Sequence, residues 1–244
     1  MCPKNIYLSQ LDQNHFGVAT ARAVDVKEHM VPEIVNYCRN KHVELLITRV
    51  LTTEIKTVQS LEDTGCLLMD TLIYYTYDLK KPIPLVETEG IVVRPVKSGE
   101  EEQVKNIATS AFTGYIGHYQ ADSRLDHGKC DELYPMWAYH SCEKRESSQE
   151  VFVAAINNRL IGFLTISQTS EEEGEIGLYC VDSEYRGGGV AQQLMIKGMN
   201  WCVASGIKRT AISTQITNIA SQKVWVRMGF EPTHSYYTFH KWLK

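Results

Sequence analysis

The sequence predicts an α/β protein in two parts, a smaller one followed by a larger one. Three observations predict it. Short apolar runs of strand type alternate with segments whose apolar residues recur at helical spacing. A proline-bearing stretch, KKPIPLVETEG (residues 80–90), breaks both periods and reads as a connection. Further on, YRGGGVAQQL (residues 185–194) sets three glycines between an apolar run and a helix start. The expected boundaries are residues 1–80 for a small α/β domain, 81–89 for the linker and 90–244 for the main domain.

In the first part, FGVATARAV reads as a strand and EHMVPEIVNYCRNKHV as a helix, with Val31, Ile34, Val35 and Cys38 on one side. VELLITRV is a buried strand, residues 53–62 a short helix, and CLLMDTLIYYTYDL a long strand. After the linker, GIVVRPV reads as a strand. GEEEQVKNIATSAF is a helix, because Val104, Ile107, Ala108 and Ala111 share a face and Glu100 to Glu102 suit its N-terminus. A polar and aromatic loop, TGYIGHYQADSRLDHGK, precedes a second helix, CDELYPMWAYHSCE, which Pro135 can kink. EVFVAAI and LIGFLTIS form a hairpin around Asn157-Asn158. EIGLYCVD, the glycine turn and its helix follow. Then come the strand RTAISTQ, the helix NIASQKVWVRM and a last strand, HSYYTFHKWL.

Bulk composition excludes several classes. With 43% hydrophobic and 22% charged residues the chain reads as a soluble globular protein. A net charge of −4 gives no general attraction to nucleic acid or to an acidic membrane. The opening residues lack signal-peptide character, and no apolar run approaches the ~18 residues of a membrane span, so a cytoplasmic location is expected. Seven scattered cysteines with no CxxC pair argue for reduced thiols, with neither a disulfide framework nor a metal site. His118 and His127 bracket a polar loop in which hydrogen-bonded histidines are commoner than metal ligands.

The net charge conceals an asymmetry. From Tyr185 through Phe230 there is no Asp or Glu, while Arg186, Lys197, Lys208, Arg209, Lys223 and Arg227 are basic. That gap opens at the glycine turn, where a strand meets a helix N-terminus and free N–H groups face outward. This combination suits a polyphosphate. The turn is not a P-loop, since no Lys-Ser or Lys-Thr pair follows the glycines. Nor is it a dinucleotide fingerprint, because Gln192 stands where the third glycine belongs.

What remains is Arg186-x-x-Gly189-x-Ala191, with Asn218-x-Ala220 and Gly229-Phe230 in order behind it. In these motifs the sequence resembles the GNAT N-acetyltransferase superfamily. The resemblance implies a mixed, largely antiparallel central sheet and acetyl-CoA as co-substrate, with no metal. It implies that Arg186, Gly187, Gly188, Gly189, Val190, Ala191 and Gln192 surround the pyrophosphate. The strand end Tyr179, Cys180 and Val181 would splay from RTAISTQ to bond the pantetheine arm, with Asn218 nearby. The opening LSQLDQNHFGVATARAV is similar to that of the dTDP-fucosamine acetyltransferase family, whose members place an incomplete GNAT unit ahead of the full one. That likeness implies a small-molecule amine acceptor, a dTDP-linked amino-deoxysugar, with Tyr115, His118, Tyr119, Asp122 and Arg124 as its contacts.

The resemblance places a base at Glu175 and a proton donor seven residues after Asn218, where this chain carries Trp225 in place of the family's tyrosine. An indole N–H can donate a hydrogen bond but does not ionise at neutral pH. Tyr236 or Tyr237 is an alternative donor. Three readings stay open: acetylation of a nucleotide-linked amino sugar, acetylation of another amine such as a polyamine, antibiotic or peptide, and coenzyme A binding without efficient transfer. A homodimer is compatible with all three.

Overall fold

A computed structural model describes residues 5–86, 88, 90–143 and 148–243. The described residues fall into two compact units. One is drawn from Met1–Ile73, Tyr115–Cys130 and His234–Lys244, the other from Tyr74–Gly114 and Asp131–Thr233. The expected linker, residues 81–89, therefore lies inside a span of the second unit. The loop before residue 130 and the last strand belong with the first.

The first unit holds β1 (Ile6–Leu8), α1 (Gln10–Phe16), β2 (Thr20–Ala23), α2 (Val31–Asn40), β3 (Leu45–Leu51) and α3 (Ile55–Asp63). It also takes the start of β4 (Leu67–Asp78) and most of β10 (Glu231–Trp242). β1 and β2 are antiparallel, β2 and β3 parallel, and β10 runs antiparallel along β3 from Tyr236↔Leu51 to Trp242↔Leu45. α2 closes this sheet because Val31, Ile34, Val35 and Cys38 recur on one helical face. They pack with Ala21, Ala23, Leu46, Val50 and Phe239 into one core. α1 is bounded by Ser9, whose hydroxyl accepts from the Asp12 N–H, and by Gly17 in the left-handed region at φ 73°.

The second unit holds β5 (Val92–Pro95), α4 (Glu101–Phe112), most of α5 (His127–Glu143), β6 (Gln149–Ile156), β7 (Arg159–Gln168), β8 (Glu173–Val181), α6 (Val190–Ala204), β9 (Arg209–Gln215) and α7 (Ile219–Arg227). Its strands lie in the order β9-β8-β7-β6-β5, antiparallel except for the parallel pair β8–β9. The predicted class, α/β with a mixed and mostly antiparallel sheet, is what forms. Val104, Ile107 and Ala108 of α4 and Ala138 of α5 pack on Val151, Val153 and Phe163. On the other face, Gly198 lets α6 approach so closely that an added Cβ would lie 3.2 Å from Leu164. The β6–β7 hairpin turns on Asn157 and Asn158, both at positive φ (47° and 67°), as a two-residue turn of this hand requires.

Candidate active site

The parallel pairing of β8 and β9 runs from Glu173↔Arg209 to Ile176↔Ile212. Beyond it, β8 continues to Val181 and β9 to Gln215 with no further β8–β9 rung. The ladder ends short of Tyr179 to Val181, the strand end for which the resemblance implies a splay. β8 stays paired with β7 through Leu164↔Tyr179, Phe163↔Cys180 and Gly162↔Val181, so its N–H and C=O groups on the β9 side are not used by that ladder. The register between β7 and β8 slips at this point. Three steps along β8, from Ile176 to Tyr179, face two along β7, from Ile166 to Leu164. This bulge sits at Gly177 and Leu178, and the Leu178 N–H bonds the Thr165 hydroxyl instead of a strand carbonyl, at 2.8 Å.

The glycine turn follows at once. Asp182 accepts from the Glu184 N–H at 3.2 Å, a single 3₁₀ turn spans Ser183–Tyr185, and the Arg186 Nε donates to the Val181 carbonyl at 3.2 Å. Gly187 and Gly189 hold φ of 86° and 81°, while Gly188 does not enter that region. Gly189 is the N-cap of α6 and has no side chain to cap it, so the helix's first N–H groups are left for another partner. The motif marks Gly189 as fixed. The structure adds Gly187 by its backbone conformation. Arg186, Gly187 and Gly188 are exposed, Val190 is buried beneath them, and Ala191 and Gln192 are half-buried.

The basic stretch is less open than its charge count implies. Lys208 and Arg209 are bridged to Glu172, at 2.6 and 3.5 Å. Arg186 stands at the turn itself, and Lys197 lies over the Phe152 ring at 5.9 Å.

Tyr179 and Cys180 are raised out of the titrating range, above all by burial. They contribute backbone, not ionised side chains. Asn218 is committed locally. Its Oδ1 accepts from the Ser221 N–H at 3.3 Å, capping α7, and its Nδ2 donates to the Thr214 hydroxyl at 3.0 Å. Trp225 is 2% exposed and stands edge-on to Tyr75, with centroids 5.5 Å apart. Its Nε1 has no hydrogen-bond partner among the described residues. A buried N–H left in that state costs about 1–3 kcal/mol. Glu175 is half-buried between Ser167 of β7 and Ala211 of β9.

The residues expected to meet the acceptor fall in the first unit. His118, Tyr119 and Asp122 are buried at 4%, 4% and 3% exposure. They belong to a closed polar network. His118 Nδ1 lies 2.9 Å from His240 Nε2, His240 Nδ1 lies 2.7 Å from Asp122, and the Trp242 indole donates to the same carboxylate at 2.9 Å. Beside them the Tyr119 hydroxyl donates to Asp12 at 2.6 Å. Arg22 binds Asp12 through two nitrogens at 2.6 and 3.0 Å and also reaches the Tyr119 oxygen. Burial acting alone would raise Asp122, but the bonds from His240, Trp242 and the Arg124 N–H outweigh it and hold the carboxyl low. Burial, reinforced by neighbouring His240, holds His118 neutral well below the usual imidazole range. Arg124 is exposed and lies over the Trp242 ring at 4.3 Å, and Tyr115 is half-buried. Tyr237 packs against the first unit's core and Phe239. The six described cysteines are buried, and none forms a disulfide among the described residues. Among the described residues no helix is long and apolar enough to cross a membrane.

One group beside the β8 bulge carried no sequence motif. Trp137 of α5 is 47% exposed and faces the β8 bulge, 3.6 Å from where a Gly177 side chain would begin. Its signal was the i, i+3 pair Tyr134 and Trp137 on a helix of weak amphipathic pattern.

Comparison with known proteins bears on this geometry. A model of the Acetyltransferase (GNAT) family matches residues 106–230, just over half of the chain. The spore coat polysaccharide biosynthesis protein SpsD of Bacillus subtilis (strain 168) is 24% identical over 148 residues, covering 61% of this chain and 50% of SpsD. The chain thus spans about half the length of that relative. Among solved structures, a functionally unknown conserved protein from Staphylococcus epidermidis ATCC 12228 superposes with a TM-score of 0.69 at 13% identity. The match covers 99% of this chain and 92% of that one. A tandem GNAT protein from the clavulanic acid biosynthesis pathway gives 0.65 at 12% identity, over 93% and 76%. At these identities the likeness is one of fold.

Proposed function

This chain belongs to the GNAT acetyltransferase family, and we propose that it transfers acetyl from acetyl-coenzyme A to the primary amine of a nucleotide-linked amino-deoxysugar. One observation carries the reading. The unladdered edge of β8 from Tyr179 to Val181 runs directly into a glycine turn that opens a helix with uncapped N–H groups. An extended amide-bearing arm can pair with the first, and a pyrophosphate can sit on the second.

Acetyl-coenzyme A supplies, when bound, an acetyl thioester and the phosphates that anchor it. In the transfer a C–N bond forms, the C–S bond breaks, the amine gives up one proton and the sulfur leaves as thiolate. Each residue is read by what it can do in that exchange. Arg186 and the N–H groups of Gly187 to Gln192 hold the phosphates. Backbone N–H groups of Tyr179 to Val181 face the developing oxyanion. An alkyl ammonium with a pKa near 10.4 is neutral in only about one molecule in a thousand at pH 7.4, so a base is useful, and Glu175 is read as acting through water. The Trp225 N–H is read as a hydrogen-bond donor to the thiolate, a role supported by its lack of a hydrogen-bond partner among the described residues. A thiol with pKa near 8.5 leaves tolerably as thiolate without full protonation. Asn218 is read as holding the start of α7 beside the arm, since both ends of its amide are occupied.

The sugar acceptor is supported by the polysaccharide-pathway relative and by the resemblance of residues 8–24 to dTDP-amino-sugar acetyltransferases. We read His118, Tyr119 and Asp122 as framework of the first unit, and residues 1–80 as a small domain ahead of the transferase domain. Thiol release from acetyl-coenzyme A, followed against dTDP-4-amino-4,6-dideoxyhexoses, spermidine, aminoglycosides and a peptide amine, tests the reading. Release at least tenfold faster with the nucleotide sugars is expected. Equal or faster release with the simple amines overturns the acceptor, and tight coenzyme A binding without turnover on any amine overturns the transfer.

A further inference from the structure

The outer face of α7 is apolar and basic, where a helix face turned to water is ordinarily polar. Ile219 and Val226 lie two turns apart on it, with Lys223 between them and Arg227 alongside. Ile216 precedes them in the turn after β9. Ile216, Ile219 and Val226 are 47%, 52% and 55% exposed, and Lys223 and Arg227 are exposed as well. The opposite side of the helix already supplies its core residue, the buried Trp225, so these side chains are not needed for packing. Nor are the cations neutralised by neighbours in sequence, since residues 185–230 contain no Asp or Glu. Lys208 and Arg209 are paired with Glu172 and Glu173. Lys223 and Arg227 have no ion-pair partner among the described residues.

Position says what such a face can serve. β8 and β9 are parallel, so they end on the same side of the sheet, and the helices that follow them, α6 and α7, both start there. The unladdered residues Tyr179 to Val181 lie at that same end. Ile216 and Ile219 stand on the β9 side of it and Arg186 on the β8 side. An arm lying along β8 therefore leaves the protein beside an apolar and basic surface. We propose that this surface docks an acidic carrier protein, one that presents an acyl thioester on the same phosphopantetheine arm that coenzyme A carries. Lys223 and Arg227 meet its carboxylates, and Ile216, Ile219 and Val226 cover its apolar side chains. The transfer balances as it does with coenzyme A. The C–N bond forms, the C–S bond breaks, the amine proton passes through water to Glu175, and the sulfur leaves as the thiolate of the carrier's arm. Other occupants fit the surface less well. A second copy would bring the cations of two identical patches together across an isologous contact. A bilayer calls for a larger apolar face than three aliphatic side chains on and beside a nine-residue helix provide. The inference rests on the acetyl-transfer reading for its chemistry and on the α7 face alone for the contact.

A fluorescently labelled type II acyl carrier protein tests it in two forms, the apo form, which has no arm, and the holo form charged with acetyl. Anisotropy at low salt reads the contact without any turnover. Both forms are expected to bind the wild-type protein, less tightly as salt is raised. Lys223→Glu/Arg227→Glu and Val226→Asp should each weaken that binding by about tenfold or more. All three positions are exposed, so the variants should melt with the wild type. Calorimetric titration with coenzyme A separates the surface from the phosphate turn, and its Kd should move much less than the carrier's. Equal weakening of carrier and coenzyme A overturns the proposal, as does failure of both carrier forms to bind or binding that neither variant changes. Adsorption to anionic vesicles that the same variants abolish, or a wild-type dimer that Val226→Asp dissociates, assigns the face to a membrane or to a second copy and overturns it too. Where the wild type acetylates an amine from acetyl-coenzyme A, the acetyl carrier should replace it as donor, with a KM that the variants raise by about tenfold or more. No transfer from a carrier that binds, with acetyl-coenzyme A active, overturns it. If neither donor acetylates any amine, the transfer reading fails by itself, and binding of the apo carrier still decides the surface.

Discussion

Replacing Asp12 by Asn keeps the shape of a fully buried side chain and removes its charge. In the native protein the carboxylate takes two bonds from Arg22, at 2.6 and 3.0 Å, and one from the Tyr119 hydroxyl at 2.6 Å, with no side-chain exposure. Burial acting alone would raise its pKa, but the Arg22 bonds, helped by Ser9 and Tyr119, outweigh that and hold it low. An asparagine supplies one acceptor where two oxygens served, and its amide hydrogens face the Arg22 or Tyr119 donors. Arg22 is then left with most of its charge unmatched. Breaking a buried pair in this way costs about 3–5 kcal/mol. For a chain of this length a kcal/mol shifts the melting midpoint by roughly 2–4 °C, so the expected fall is on the order of 6–20 °C. Differential scanning calorimetry at pH 7.5 reads it directly. A loss under about 2 °C would refute the claim that this network anchors the first unit. The companion Asp12→Leu/Arg22→Met, which removes both charges, should recover much of the loss.

Three further outcomes are expected. Stability should fall as the solution is acidified. His118 is held neutral in the folded protein, so below about pH 6.5 the unfolded chain binds the extra proton, and the loss approaches about 1.4 kcal/mol per pH unit. Asp12, Asp122 and Glu100, all lowered in the fold, add to it below about pH 4. Urea midpoints across pH 4 to 8 read the slope, which His118→Gln should flatten above pH 5. Gly189→Ala places a side chain on a backbone at φ 81°, which costs about 1–2 kcal/mol, and sets its Cβ 2.6 Å from the Thr88 methyl. The KM for acetyl-coenzyme A should rise about tenfold or more, and calorimetric coenzyme A binding equal to wild type would count against the anion site. Trp225→Phe removes an N–H that has no acceptor among the described residues. A kcat fall of about fivefold to tenfold is expected if that N–H serves the thiolate, whereas unchanged kcat with a lowered melting point would leave the indole as core packing on Tyr75.

Local patterns carried the second unit and most of the first, where β2, α2, β3, α3, β4 and β10 form as read and β1 and α1 were missed. β9 spans Arg209–Gln215, the strand read from RTAISTQ, and the turn into α6 is where the glycines put it. Periodicity and glycine chemistry are short-range properties, and they fix those elements. β1 has three residues and α1 seven, too few for a period to emerge. α5 begins at His127 rather than Cys130, because the Asp126 carboxylate accepts from the Lys129 N–H and starts the helix a turn early. The fate of His118 and Tyr119 was not legible at all. Their partners lie 122 and 107 positions away, and no local composition separates a polar side chain bound for a buried network from one bound for a ligand. Trp137 was visible only as one aromatic among several.

The pairing of β10 with β3 sets a timetable for biosynthesis. Arg49 and Thr238 bond across that pair, yet 189 positions separate them. At translation rates of about 5–20 residues per second, the free edge of LLITRVL waits on the order of 10–40 s for the strand that covers it. During that interval the ribosome carries an apolar β-edge able to recruit any other extended chain. Trimming residues 234–242 would leave that edge of β3 open.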